Sequence, residues 1–343
     1  MKQVIVRRPG GTARLIVETV PDTTPQGGEV CVEVRAAGVN FADLVVRMGL
    51  YQSAKQYVGW PIVPGFELAG TVGAVGPGVE TFRPGDAVLG VTRFGGYTSR
   101  ICLPESQLQP VPAGVSFAQA ATFPVAFLTA WYALHELARL RKGRIVLVHS
   151  AAGGVGGALV QLAKREGCHV IAVVGAPHKV APVKALGADV VIDKSSENLW
   201  RAVERAAPSG CHVVLDANGS ETLRQSYEHL CPTGRVIVYG FHSLLQRGSE
   251  RLPLLRAAFG WLNVPRFNPF KMVDKNVGVL AFNLSYLFDE ISLFSEAMAE
   301  LGAALASGEI RCPTITEVPF DDPGRAHTLL HSGQTVGKVA LVL

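Results

Sequence analysis

Through the first 115 residues, apolar and polar positions alternate in short runs. Val- and Ile-bearing stretches recur at Gln3–Arg7, Arg14–Thr19, Glu29–Ala36, Leu68–Val75, Ala87–Gly90 and Tyr97–Leu103. Turn-forming clusters separate them, among them Pro9-Gly-Gly, Pro25-Gln-Gly-Gly, Gly76-Pro-Gly and Arg83-Pro-Gly-Asp86. Short strands with frequent turns predict a small barrel or sandwich. From about Ala118 the period changes. Helical spacing alternates with apolar runs at Arg144–His149, His169–Val174, Asp189–Ile192, His212–Leu215, Gly234–Tyr239 and Val277–Phe282. That alternation predicts a doubly wound α/β fold, a parallel sheet with crossover helices. Beyond Asp289 the pattern predicts a helix (Ile291–Ala306), a strand (Thr314–Val318), a helix (Gly324–His331) and a last strand (Lys338–Leu343).

One stretch organises the second half. The run Ile145–Val148 meets a turn containing Ala151, Gly153, Gly154, Val155 and Gly156, and the turn opens into the helical pattern from Ala158 to Lys164. Glycines let a backbone approach a pyrophosphate, and a helix N-terminus offers free N–H groups to it. Ala151 stands where the G-x-G-x-x-G pattern has its first glycine, with Gly153 and Gly156 in the other two places. Strand, turn and helix in that order make a dinucleotide role the favoured reading over a merely tight turn.

Composition narrows the class. A chain of 343 residues is long for one core, so two domains are expected. Apolar residues at 48% and charged residues at 17% describe a packed globular protein, and a net charge of +4 without basic runs does not suggest nucleic acid. The N-terminus lacks a signal-peptide pattern. Ile145–Ala163 is apolar enough to suggest a membrane span, but His149 and the glycines divide it into strand, turn and helix. The six cysteines are scattered without a C-x-x-C pair and read as reduced thiols, and the histidines read as separate surface or core residues. A cytoplasmic protein with no integral membrane segment is expected.

Several motifs resemble the medium-chain dehydrogenase/reductase superfamily, in its zinc-free quinone oxidoreductase branch. They are Ala36-Ala-Gly-Val-Asn40-Phe-Ala-Asp43, Pro64-Gly-Phe66-Glu67-Leu-Ala-Gly70, Arg83-Pro-Gly-Asp86, Gly187-Ala-Asp189 and Gly337-Lys338-Val, in the family's order. Ala281-Phe-Asn283-Leu-Ser-Tyr-Leu-Phe is most similar to the vesicle amine transport protein subgroup. The resemblance implies a GroES-like substrate domain, residues 1–117 plus 284–343, with a Rossmann domain, residues 118–283, inserted between its parts. It also implies a homodimer joined through sheet edges near Asn276–Leu284.

Zinc-containing relatives bind the metal through a Cys near position 40 and a His in a Gly-His-Glu motif. Here those places hold Asn40 and Phe66, neither of which binds zinc as a thiolate or imidazole does, so no metal is expected. The second strand ends in Val174-Gly175-Ala-Pro-His-Lys179, with no acid for a ribose 2′-OH. Gly175 leaves room for a 2′-phosphate, and Lys179 and Lys194 are its candidate partners, against the alternative of two solvated lysines. NADP(H) is therefore the expected cofactor. The resemblance adds Tyr239, Gly240, Phe241, Asn283 and Lys338 to the cofactor set, Lys338 near its phosphates or else solvated at the entry to the last strand.

A quinone or conjugated carbonyl is already activated for hydride transfer, so a site without zinc ligands points to conjugate reduction. The resemblance places Asn40 beside the nicotinamide as a donor to a substrate oxygen, with a turn Asn as the alternative. Tyr51 is the candidate proton donor, or else a packing aromatic. Thr129 matches a nicotinamide contact, or else packs its helix. Residues 242–276 interleave Arg247, Arg251, Arg256, Arg266, Lys271 and Lys275 with Phe259, Trp261, Phe267 and Phe270, which fits a mouth for an acyl-CoA or an ordinary solvated loop. The leading function is an NADPH-dependent reductase of a quinone, enone or enoyl thioester. The alternatives are an NADPH-binding regulatory or membrane-associated protein with weak or no catalysis and, less favoured, an alcohol dehydrogenase.

Overall fold

The structure is a computed structural model and describes residues 1–244 and 264–343. Its described residues form two compact units, residues 1–128 with 285–343, and residues 129–244 with 264–284. Of the basic stretch, Arg247, Arg251, Arg256, Phe259 and Trp261 lie outside the described residues.

The first unit is built from strands β1 (Lys2–Ile5), β2 (Ile16–Thr19), β3 (Glu29–Val39), β4 (Glu67–Val75), β5 (Ala87–Val91), β6 (Arg100–Pro104) and β7 (Leu108–Pro110), with two more from the chain's end. β3 is central and pairs antiparallel with β4 and β6. Its Val30, Val32 and Val34 fill one core with Leu68, Val72, Val88 and Leu103. The register against β4 slips between Val34 and Ala36, and beyond the slip Ala37 and Val39 enter a second core with Val46, Ile62, Phe66 and Tyr97. A bulge of this kind re-aims the side chains that follow it. The strand predicted to stop at Ala36 therefore continues to Val39 and delivers Asn40 to the far side.

The second unit holds β8 (Ile145–Val148), β9 (His169–Val174), β10 (Val190–Asp193), β11 (Cys211–Asp216), β12 (Leu230–Val238) and β13 (Gly278–Ala281). All pair in parallel, in the order β10-β9-β8-β11-β12-β13. That is the doubly wound order of a Rossmann sheet, and ligands of such sheets sit beyond the strand ends where the order reverses, here between β8 and β11. The continuous Val, Ile and Leu runs of the strands suit a sheet covered on both faces. Phe267 packs against this core beside Tyr227, while Phe270 is exposed.

β14 (Ile315–Pro319) and β15 (Lys338–Val342) complete the first unit, and β15 pairs antiparallel with β3, Val339 facing Val39. The short β7 has no counterpart among the predicted strands. The helical stretch Phe117–Ala138 is long and apolar enough to cross a membrane and is largely buried within the fold. Two expectations need correction. Cys31 and Cys102, expected to be scattered thiols, occupy facing positions of β3 and β6 with their sulfurs in contact, while the other four cysteines lie outside this pair. Antiparallel register brings together residues 71 apart in sequence, which spacing along the chain does not reveal. Reading the histidines as separate, without H-x-x-x-H spacing, is wrong from the sequence itself, since His327 and His331 stand four apart, one turn on the helix Pro323–Ser332, and both are core residues.

Candidate active site

In the first unit, Asn40 precedes the helix Phe41–Arg47, and its own backbone N–H donates to Asp43 Oδ2 at 2.8 Å. Asp43 closes this helix start by reaching back, which leaves the Asn40 amide for other work. The amide Oδ1 accepts from Lys338 Nζ at 2.5 Å, and Nδ2 donates to Glu67 Oε1 at 2.9 Å. Lys338 Nζ also donates to Glu67 Oε1 at 2.7 Å and to the Val39 carbonyl at 3.1 Å. Glu67 Oε2 accepts from the Val125 N–H at 2.8 Å. The Lys338 and Glu67 side chains are 6% and 0% exposed, so this is a buried ion pair.

Backbone geometry explains how it assembles. The ladders end with Val339 across from Val39 and Leu68 across from Ala37, so Lys338 and Glu67 come next, beside Asn40 and Gly38. A Cβ at Gly38 would lie 2.3 Å from Glu67 Oε1 and 2.4 Å from the Ala121 carbonyl. The Ala-Gly-Val-Asn motif is therefore a slot for the Glu67 carboxylate. Beside it a second buried group forms. Burial pushes the Asp43 carboxyl up to about 7, against the opposing pull of the Asn40 and Gly65 N–H groups and the Lys338 charge. Tyr97 bonds Asp43, and its hydroxyl lies 3.3 Å from His327 Nε2. Burial, helped by the Arg47 and His331 charges, lowers His327 to about 3.

Tyr51 is half-buried at the start of the helix Gln52–Tyr57 and packs edge-on to Phe66 at 5.8 Å and to Phe94 at 6.5 Å. Its hydroxyl donates to Ser285 Oγ at 3.3 Å, and Ser285 donates to Ser53 Oγ at 2.8 Å. Phe66, at the place of a zinc-ligating histidine in relatives, is part of this aromatic wall. Among the described residues, no three His, Cys, Asp or Glu side chains are grouped to hold a metal.

In the second unit, Ala151 to Gly156 follow β8 and start the helix Gly154–Arg165. A Cβ at Gly156 would lie 2.2 Å from the Ser150 carbonyl and 2.7 Å from Ala151 Cα, and Ala151 itself is buried. Gly175 and Lys179 follow β9 and Lys194 follows β10. A Cβ at Gly175 would meet Lys194 Cε at an ordinary 3.7 Å, so these two are neighbours with space at the glycine. Tyr239, Gly240 and Phe241 follow β12, Tyr239 N–H bonding the Asp216 carbonyl at 3.1 Å. Thr129, 8% exposed on the helix Pro124–Trp131, and Asn283, after β13, also belong to this unit.

One feature lies outside the expected set, and one expected residue has partners that were not foreseen. Asp216 ends β11 and accepts from the N–H groups of Asn218 and Gly219 at 2.9 and 3.0 Å, and from Thr222 and Ser226 hydroxyls, each at 2.8 Å. Ser226 Oγ lies 3.1 Å from His149 Nε2, and burial lowers that imidazole below its ordinary range. Because Ser226 gives its hydrogen to Asp216, His149 carries its hydrogen on Nε2. The network joins the ends of β8 and β11, the two strands flanking the sheet's switch point. A carboxylate ending an apolar strand before Ala217-Asn218-Gly219 is the signal the sequence carries for it. The expected residue is Lys338, which is buried rather than solvated. All three ammonium hydrogens meet acceptors within its own unit, and we read it as a member of the Asn40 network.

A dinucleotide-type sheet and a β-rich GroES-like unit are the two parts of an oxidoreductase of the medium-chain class. Comparison with known proteins agrees. Residues 26–126 match the alcohol dehydrogenase GroES-like domain family and residues 154–291 the zinc-binding dehydrogenase family. The chain is 33% identical over 336 residues to the rat synaptic vesicle membrane protein VAT-1 homolog, covering 97% of this chain and 82% of the relative. Escherichia coli quinone oxidoreductase, crystallised with NADPH, superposes over 100% of both chains with a TM-score of 0.85 and 28% identity. The CurK enoyl reductase covers 99% of this chain and 98% of its own, with a TM-score of 0.85 and 27% identity. The chain belongs to the medium-chain dehydrogenase/reductase superfamily, in its zinc-free quinone oxidoreductase branch, and is an oxidoreductase.

Proposed function

We propose that this protein is an NADPH-dependent reductase of a conjugated acceptor, a quinone or an α,β-unsaturated carbonyl compound, with enoyl thioesters included. The observation that carries the reading is the Asn40 amide. It stands at a zinc-ligand position of the superfamily, fixed on both sides, with one Nδ2 hydrogen that, among the described residues, is left to donate. That is a donor for an oxygen that gains charge, not a ligand for a metal.

The residues fit the cofactor. Gly156 makes a cradle that a Cβ would fill, Gly153 to Val155 lie at the start of the same helix, and Gly175 with Lys179 and Lys194 suit a 2′-phosphate. When bound, reduced nicotinamide supplies the hydride. Asn40 donates to the acceptor's carbonyl oxygen, where the electron pair collects as an enolate. The Tyr51 phenol gives its proton to the enolate carbon, or to a second quinone oxygen. In the resting chain that hydrogen is directed at Ser285, so delivery requires the hydroxyl to rotate. Thr129 and the Tyr239–Phe241 backbone serve the nicotinamide end. Similarity to a protein named for synaptic vesicle membranes favours, as a second reading, an NADPH-binding protein with little turnover.

NADPH oxidation followed spectrophotometrically against naphthoquinone, 2-alkenals, enones and several enoyl-CoAs, with NADH in parallel, tests both. Turnover of at least one acceptor, faster with NADPH, is expected. Tight NADPH binding with no turnover on the whole panel would overturn the reductase reading in favour of the second.

A further inference from the structure

We infer that the buried Lys338–Glu67 ion pair is an orienting device for Asn40, fixing which way its amide faces and so which hydrogen it offers. The inference rests on the reductase reading above, in which Asn40 donates to the acceptor. Lysine offers only donors, and a carboxylate only acceptors. Between the two, the Asn40 amide has one acceptable arrangement, Oδ1 toward Lys338 and Nδ2 toward Glu67. An amide flip would set N–H against ammonium and carbonyl against carboxylate, two repulsive contacts among buried groups. One Nδ2 hydrogen is spent on Glu67, and the other has no protein partner among the described residues.

Stability alone does not account for such a pair. Replacing buried ion pairs by apolar groups is often neutral or stabilising, because desolvation offsets the attraction. Yet three strands are committed to this one. β3 brings Asn40 and the glycine slot, β4 brings Glu67 and β15 brings Lys338. Because the two charges cancel, they add no net charge beside the amide. What they supply is direction, and an oxyanion donor depends on direction more than on strength. Lys338 and Glu67 are thus positioning residues, acting on the acceptor through Asn40.

A double-mutant cycle in the full-length chain tests this. Asn40→Ala is compared in the parent and in Lys338→Met/Glu67→Gln, which removes both charges together and leaves no unpaired buried ion. In the parent, Asn40→Ala is expected to lower kcat/KM for an enone about 100-fold, as loss of one oxyanion donor does. In the charge-free background the further loss is expected to be under about threefold, since residues acting through one another are not additive. Equal losses in both backgrounds would sink the inference. A second readout does not depend on turnover. The Asn40 side-chain amide resonances, assigned by their disappearance in Asn40→Ala, should include one hydrogen shifted downfield by the Glu67 bond, and the double variant should lose that shift. Glu67→Gln alone gives the same readout if the double variant does not fold. An unchanged shift overturns the orienting role whatever the activity. A lost shift in a protein whose parent turns over nothing keeps that role and discards the reductase reading.

Discussion

The two units handle polar groups at their candidate sites in opposite ways. In the first, Lys338, Glu67, Asp43, Arg47 and His327 are buried side chains, held in place by one another and by backbone groups. In the second, the strand ends around the glycine turn are shaped by backbone, and one buried carboxylate, Asp216, gathers hydroxyl and N–H donors from the segment after β11. A site made of paired side chains fails when one partner changes, because the other is left charged and dry. A site made of backbone fails when a side chain is added where none fits. Perturbations should therefore separate the units by kind.

The largest effect is expected from the Asp43–Tyr97–His327 chain. His327 is lowered from 6.5 to about 3, so between those values the unfolded chain holds a proton that the native one lacks. Its stabilisation is complete above pH 6.5 and is lost as pH falls. At about 1.4 kcal/mol per unit, the term is on the order of 5 kcal/mol. Asp43 is raised from 3.8 to about 7, so there the native state keeps a proton that the unfolded chain has released. Its contribution is complete below pH 3.8 and is lost as pH rises toward 7, a term on the order of 4 kcal/mol. The two act over nearly the same window with opposite sign. Denaturant midpoints measured from pH 4.5 to 6.5 should show Asp43→Asn gaining stability with pH more steeply than the parent. His327→Gln should instead lose it. A parent-like slope in both variants would mean that neither group is dry enough to matter.

The next effect belongs to the second unit. Gly156→Ala adds a Cβ 2.2 Å from the Ser150 carbonyl, and either the turn or the helix must yield. Overpacking of this kind costs about 1–3 kcal/mol. If the turn carries the cofactor, NADPH should bind roughly 10- to 100-fold more weakly, while the melting temperature falls by only a few degrees. A large loss of stability with unchanged affinity would make the glycine a packing device and blur the contrast between the units.

This contrast also accounts for what is legible in the chain. The Rossmann strands and the turn from Ala151 to Gly156 are readable because backbone sites use local sequence: an apolar run, glycines, then helical spacing. The first unit's strands are readable up to the bulge at Val34/Ala36, where alternation changes face and the predicted strand ends early. Resemblance singles out Asn40 and Lys338, but not their joint pairing with Glu67. Glu67 lies 27 residues from Asn40 and Lys338 lies 298 from it, and only strand register brings them together. The facing of Cys31 and Cys102 across β3 and β6 is hidden for the same reason. Pairing between distant strands leaves no periodic trace.

The smallest expected effect concerns cofactor choice. Gly175 differs from Gly156 in having room, since an added Cβ would meet only Lys194 Cε at 3.7 Å. Gly175→Asp should therefore fold as the parent does. Its carboxylate would repel a 2′-phosphate, accept from a ribose 2′-OH instead, and draw the Lys194 ammonium to itself. Breaking one charge-assisted hydrogen bond costs about 1.5–3 kcal/mol. The ratio of kcat/KM for NADPH over NADH should accordingly fall by roughly 10- to 100-fold, with activity retained on NADH. Equal loss with both cofactors would place the 2′-phosphate away from β9. The same change at Gly156 should abolish use of either cofactor, because there the added atoms have nowhere to go.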